Sequence, residues 1–317
     1  MNKKVVFIAD FFVEQVLGGG ELNDDLLIKL LQKNDKEVSS IRTTQINLEF
    51  LKEHQADFFI ISNFIGLSEE YKRWLTHNAA YIIYEHDHKY LSNRNPAQYA
   101  HFKPPQKDLR NFYFYKNAVG VICQSTFHKN ILVQNLGLDN IISVGGNLWS
   151  AESLAKLKSL ATSKKREVCS IMDSNYFSFL EKLGKNKTLV FFPATPETLS
   201  RLVCEARMMG MSVVTNALVG ASKEDWFNKK GTDLIDYMEQ KKEEITKVIL
   251  NLMENTRRSS NPKISIISTF HDGNTFLLGF LKNMVEQTIF KDCELILVDA
   301  DSQGNEKDLI VSYQEKY

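Results

Sequence analysis

Residues 191–215 read FFPATPETLSRLVCEARMMGMSVVT, and the fold class turns on this stretch. Thr188 to Ala194 is an apolar, β-favouring run. Thr195 suits a helix N-cap and Pro196 the first helical position, so a helix is expected to start there. Leu199, Leu202, Val203, Ala206 and Met209 fall at helical spacing and make one apolar stripe. Gly210 ends the helix, and Met211 to Thr215 opens a new strand.

Two carboxylates stand out, Glu197 in the expected first turn and Glu205 eight residues on. At about 1.5 Å rise per residue they lie roughly 12 Å apart along the axis. That is too far for an acid/base pair on one bond but suits two contacts along an elongated ligand. The helix start at Thr195, with Thr198 one turn in, offers unpaired N–H groups and a positive dipole end, a natural diphosphate site. The plainer reading is that Glu197 only complements the helix dipole and Glu205 is a solvated flank charge.

The rest of residues 1–255 alternates in the same way. Lys4 to Ala9 is a buried-type strand, followed by Gly18-Gly19-Gly20-Glu21 and an amphipathic helix to about Gln32. Such a glycine loop lets backbone N–H groups approach a ligand closely, but it lacks the dinucleotide spacing G-x-G-x-x-G. Strands at 38–42, 57–63, 80–84, 119–124 and 140–144 alternate with helices, one capped by Ser68 and one by Ser125 or Thr126. This order predicts a parallel, doubly wound sheet whose ligands gather beyond the strands' carboxyl ends. There, after the 80–84 strand, stands Glu85-His86-Asp87-His88. His86 and Asp87 are expected to contact substrate, the plainer reading being a polar strand end with a structural histidine, and H-x-H without a third ligand is poor metal-site material. Tyr90 to Gln106 reads as a long irregular loop, suited to covering a substrate or to disorder. The aromatic run Phe112 to Tyr115 reads as packing.

Pro193, Glu197, Glu205-Ala206, Gly210 and Val213-Val214 resemble the donor-site signature of retaining GT-B glycosyltransferases of the family 4 type (P-x3-E-x7-E-A-x3-G-x2-VV). The resemblance implies a donor-sugar contact for Glu197 and a nucleotide-ribose contact for Glu205. Gly18 to Glu21 resembles the GG-x-E loop that lies in that family's cleft near acceptor and donor diphosphate. The fold implied is two Rossmann-like domains facing a cleft, residues 1–149 on the acceptor side and 150–255 holding the nucleotide, with Gly145-Gly146-Asn147 as hinge. No metal or resident cofactor is implied; a nucleotide-diphosphate sugar is the co-substrate, and a glycan, lipid-linked or protein group the acceptor. Two departures stand out. Thr198 to Leu202 lacks the family's glycine, and Asp173 to Tyr176 lacks its Arg and Lys, for which Lys182 or Lys185 are the nearest substitutes.

Thr256 to Pro262 reads as a linker. Residues 263–317 resemble the start of a family 2 (GT-A) glycosyltransferase, a strand, a helix and a second strand ending in Asp299-Ala300-Asp301-Ser302. The resemblance places Asp299 and Asp301 at a nucleotide base and ribose, in a fragment without activity of its own.

Thirty-nine basic residues balance 39 acidic ones, which argues against a dedicated nucleic-acid binder. The basic clusters 164–166 and 257–258 suit peripheral contact with an anionic membrane face, or simple solvation. Four scattered cysteines, Cys123, Cys169, Cys204 and Cys293, read as thiols in a reducing, cytoplasmic setting. Three functions stay in view: a glycosyltransferase, a degenerate module that binds a sugar nucleotide or a partner enzyme, and, weakest, a Rossmann oxidoreductase.

Overall fold

The computed structural model describes residues 4–163, 175–255, 264–288, 290 and 293–316. The expected strand over 167–172, the basic cluster 164–166, residues 173–174, the 256–262 linker and Cys169 lie outside the described residues. Residues 1–254 form one compact unit and 255–317 a second.

The first unit begins with β1 (Val5–Ala9), α1 (Gly19–Lys33), β2 (Val38–Arg42), α2 (Leu48–Glu53), β3 (Phe58–Ile61), α3 (Glu69–Asn78) and β4 (Ala80–Glu85). It continues with α4 (Phe112–Lys116), β5 (Gly120–Cys123), α5 (Thr126–Leu136) and β6 (Ile141–Ser143). The six strands form a parallel sheet in the order β2-β1-β3-β4-β5-β6. The order reverses between β1 and β3, which opens a crevice beyond their carboxyl ends. Both sheet faces are buried, as crossover helices require: Val6, Ile8, Phe59, Ile61 and Ile83 face one core, and Val5, Phe7, Phe58, Ile60 and Ile82 the other. Ser68 and Ser125 cap α3 and α5 as expected, each accepting from a backbone N–H three residues on. Phe114 and Tyr115 of α4 are core residues, as the packing reading holds.

A smaller α/β portion follows: α6 (Ala151–Ala161), α7 (Tyr176–Gly184), β7 (Thr188–Phe191), α8 (Arg201–Met208), β8 (Ser212–Thr215) and α9 (Thr232–Asn255). β7 and β8 pair in parallel, with Leu189 opposite Val213. Gly210 ends α8 at φ 76°; its N–H donates to the Arg207 carbonyl and that of Met211 to the Ala206 carbonyl, a Schellman stop. α9 joins both parts of the unit. Leu234, Ile235 and Met238 pack in the core around α8, and Ile245, Ile249 and Met253 in the core behind β1 and β3.

The start of α8 corrects the sequence reading. The helix begins at Arg201, not Thr195. Residues 195–200 are committed elsewhere: the Glu197 N–H donates to the Leu218 carbonyl (2.8 Å), and the Glu197 carbonyl accepts from the Gly220 N–H (2.9 Å). Glu197 thereby bridges Val219 in parallel. Ser200 then sits at φ 73°, ψ 93°, which no helix passes through. Thr195 therefore caps no helix, Glu197 is in no first turn, and the helix-start diphosphate site expected at Thr195 does not form. Gly220 permits the close crossing, since a Cβ there would lie 2.2 Å from the Thr198 carbonyl oxygen.

The second unit contains β9 (Ile264–Phe270), α10 (Asn274–Val285), β10 (Cys293–Asp299) and α11 (Glu306–Lys316), with β9 and β10 parallel. The buried Glu306 accepts from the Asn274 N–H and caps α10. The Ser302 hydroxyl, and after it the Ser302 N–H, lower the Asp299 carboxyl pKa, and Asp301 stands at φ 66°.

Candidate functional site

At the crevice, β4 runs out into His86, whose ring is held from α1 and from the end of β5. His86 Nε2 lies 2.7 Å from Asp24 Oδ1 of α1, and Gln124, just past β5, places its amide nitrogen on Nδ1. With Nδ1 accepting, the Nε2–H points at Asp24. Asp24 is fully buried and also accepts from the Ser62 hydroxyl (2.6 Å), which fixes it. The Thr198 hydroxyl lies within hydrogen-bond distance of both the His86 carbonyl (3.1 Å) and Gln124 Oε1 (3.0 Å). The glycines close the other side, not as the expected loop but as the first turn of α1, which starts at Gly19. A Cβ on Gly20 would lie 3.5 Å from the His86 ring, and one on Gly19 3.8 Å from the Arg201 side chain. Gly18 is the N-cap of α1, and Glu21 in its first turn accepts from Asn63 Nδ2 (3.5 Å).

The next turn of chain holds a buried ion pair. Lys89, 3% exposed, donates to Glu85 (2.6 Å) and Asp87 (3.0 Å), and Tyr115 donates to the other Glu85 oxygen. Burial works to discharge Lys89, but the two carboxylates outweigh it and raise its pKa. Burial likewise works to raise the Asp87 carboxyl, yet Lys89, Arg94 and His88 together hold it at about 2. Asp87 is thus an anion at the mouth of the site, with Arg94 on its outer oxygen at 3.2 Å.

Asp87 and Glu197 face the same pocket, of about 320 Å³, with His86, His88, Arg94 and Thr198 among its walls and Thr195 beside them. Burial raises the Glu197 carboxyl, with Ser200 pulling the other way. A larger pocket of about 500 Å³, lined by Phe12, Asp25 and Arg42, contains none of the residues singled out from the sequence.

Glu205 stands apart. It is 2% exposed, and its Oε1 accepts from Trp149 Nε1 (3.1 Å) and the Tyr176 hydroxyl (2.6 Å) while pairing with Arg201 Nε at 2.8 Å. The plainer reading of Glu205 as a solvated flank charge is therefore overturned. Arg201 in turn lies over the Trp149 ring and donates to the Leu148 carbonyl (2.8 Å). Among the described residues no group of three or more His, Cys, Asp or Glu is placed to hold a metal ion. Nor is any described helix long and apolar enough to cross a membrane. Cys123 and Cys204 are buried free thiols.

The structure thus gathers Gly19, Gly20, Glu21, His86, Asp87, Glu197 and Thr198 at one crevice, and links Glu205 to it through Arg201. Sequence reasoning missed Asp24, Gln124 and Arg201, and weighed His88 only as half of an H-x-H metal pair. For two of them a signal existed. Asp24 is in phase with the buried Leu27 and Leu31 of α1, and Arg201 precedes Glu205 by four residues, the spacing of a helical ion pair. Gln124 follows a strand end and gave no pattern, and the H-x-H pattern that includes His88 pointed only to a metal. Compared with known proteins, the chain matches no family model and no curated protein.

Proposed function

We propose that this chain is a nucleotide-sugar-dependent glycosyltransferase of the retaining GT-B, family 4 kind, its two Rossmann-like domains, 1–149 and 150–255, facing a cleft. One observation carries the reading. The Gly18–Glu21 helix start and the Glu197–Ser200 loop, which bear the two resemblances, meet around His86 and Arg201. Ser200 adds to it: the expected glycine is missing from Thr198 to Leu202, yet Ser200 holds a positive φ that glycine takes at no steric cost.

In this reading the donor sugar occupies the pocket beside Glu197, Asp87 and His86. The diphosphate lies over the α1 start, where Gly19 and Gly20 present backbone N–H groups and a positive dipole end. Arg201 beside Gly19 is the cation nearest the place of the family's absent Arg and Lys, and it stands there already paired with Glu205. Reactivity comes from these preorganised charges around the leaving diphosphate. The acceptor is a glycan, lipid-linked or protein hydroxyl, met at the cytoplasmic side.

A second reading is favoured by Glu205, whose carboxylate anchors Arg201 and Trp149 instead of standing open to a ribose. It makes the chain a binding module without turnover. Thermal shift with uridine, guanosine and adenosine diphosphates and their sugars tests the donor site, and release of the nucleotide from a bound donor separates transfer from binding. No shift with any nucleotide refutes both readings.

A further inference from the structure

One buried side chain has no partner for either of its polar atoms. His88 is 2% exposed, lines the same pocket as Glu197, and neither ring nitrogen meets a hydrogen-bond partner. Every other side chain in this condition among the described residues leaves a single atom unpaired. Buried polar groups are paired almost without exception, so an orphaned ring on a pocket wall points to a partner that arrives with a ligand.

The ring is held in place. It packs edge-on against His128, with centroids 4.8 Å apart, and against Tyr90 at 5.8 Å. His128 Nε2 is fixed on the Asp87 carbonyl at 2.9 Å, so the pair cannot turn to satisfy itself. The Pro196 backbone, next to Glu197, comes close enough to the ring to work toward raising its pKa, without closing a hydrogen bond of good geometry.

Building on the donor-sugar reading above, we infer that His88 reads a hydroxyl of the neutral, polyhydroxylated part of the ligand, and so helps decide which sugar is accepted. Three observations favour a hydroxyl over an anion. The charged walls are two carboxylates, Asp87 and Glu197, against Arg94, which is already paired with Asp87. Burial lowers the His88 pKa to about 4, so the ring is neutral near pH 7 and offers one donor and one acceptor, as a hydroxyl does. The pocket, about 320 Å³, is at the small end of the ~300–1,000 Å³ range of ligand sites. It suits a single sugar ring, with the nucleotide lying outside it.

The test uses the full chain and three proteins: wild type, His88→Phe and His88→Gln. Calorimetry gives Kd for nucleoside diphosphates, their sugars and free monosaccharides, and ¹⁵N NMR follows the histidine rings. In the wild type, the sugar moves the His88 ring nitrogens. His88→Phe weakens the nucleotide sugar roughly tenfold, the worth of one good hydrogen bond, leaves the bare nucleotide unchanged, and does not lower Tm. His88→Gln restores part of the difference. Equal sugar-nucleotide affinity in all three proteins overturns the inference and leaves His88 a packing residue. If no nucleotide binds but a monosaccharide still moves the His88 nitrogens, His88 keeps its role and the glycosyltransferase reading falls. If neither ligand binds, both fall.

Discussion

Replacing Glu205 with alanine is predicted to cost stability before it costs anything else. The carboxylate is buried, accepts from Trp149 and Tyr176, and neutralises Arg201, whose side chain is only 10% exposed. Truncation strands that guanidinium, and leaving one member of a buried ion pair unpaired costs about 3–5 kcal/mol. A whole domain has roughly 5–15 kcal/mol in hand. At about 2–4 °C per kcal/mol for a unit of this size, Tm should fall by about 6–20 °C. Urea melts followed by circular dichroism measure it, with an unchanged m-value showing that the same unit unfolds. The double variant Arg201→Leu, Glu205→Leu should recover most of the loss, because an apolar pair of similar volume removes the stranded charge. Glu205→Ala within about 1 kcal/mol of wild type, well under that cost, would refute the anchoring role. The same arithmetic bears on function. Loss of nucleotide binding in Glu205→Ala would not by itself place a ribose there. Glu205→Gln, which keeps an acceptor for Trp149 and Tyr176, is the informative variant.

Ser200→Gly should be stabilising by about 1 kcal/mol, since relief of roughly 1–3 kcal/mol of backbone strain exceeds glycine's added chain entropy of about 0.4–1 kcal/mol; a fall in Tm contradicts this. Gly220→Ala should destabilise by about 1–3 kcal/mol, because its Cβ meets a backbone oxygen that cannot step aside; equilibrium unfolding decides. Acid lability should come in two stages. His88 moves from an ordinary 6.5 to about 4 in the folded chain, so the unfolded state binds more protons between these values, and stability falls as pH drops from 6.5 to 4. The His88 share is on the order of 3 kcal/mol, and buried His128, also lowered by burial, adds to it in the same direction. Asp87, held at about 2 against 3.8, contributes stability present above pH 4 and lost as pH falls toward 2. In His88→Phe the pH 4–6.5 slope should shrink, and an unaltered slope in urea titrations would show that His88 does not titrate as described.

Much of the sheet was legible because periodicity reports burial. Val5–Ala9 and Phe58–Ile61 are continuous apolar runs since both their faces are covered. Gly210 was legible because its positive φ admits few other residues. The start of α8 was not. Thr195-Pro196 has a helix-opening composition, yet the Glu197 backbone is taken by Leu218 and Gly220, partners more than twenty residues away that no local pattern announces. The site divided along the same line. Glycines and carboxylates at motif spacing could be picked out, while Gln124, whose meaning lies in its contact with His86 and Thr198, could not.

The placement of α9 has a mechanical consequence. A helix rooted at one end in the core around α8 and at the other in the core behind β1 and β3 is a shared beam. Neither part of the first unit can be cut out at residue 150 without baring the beam's other half, so the two should melt together in a single transition. Gaping of the crevice must bend that beam or shear one end from its socket. The stiffness of α9 between Met238 and Ile245, where its allegiance passes from one core to the other, then sets how far the crevice can yawn.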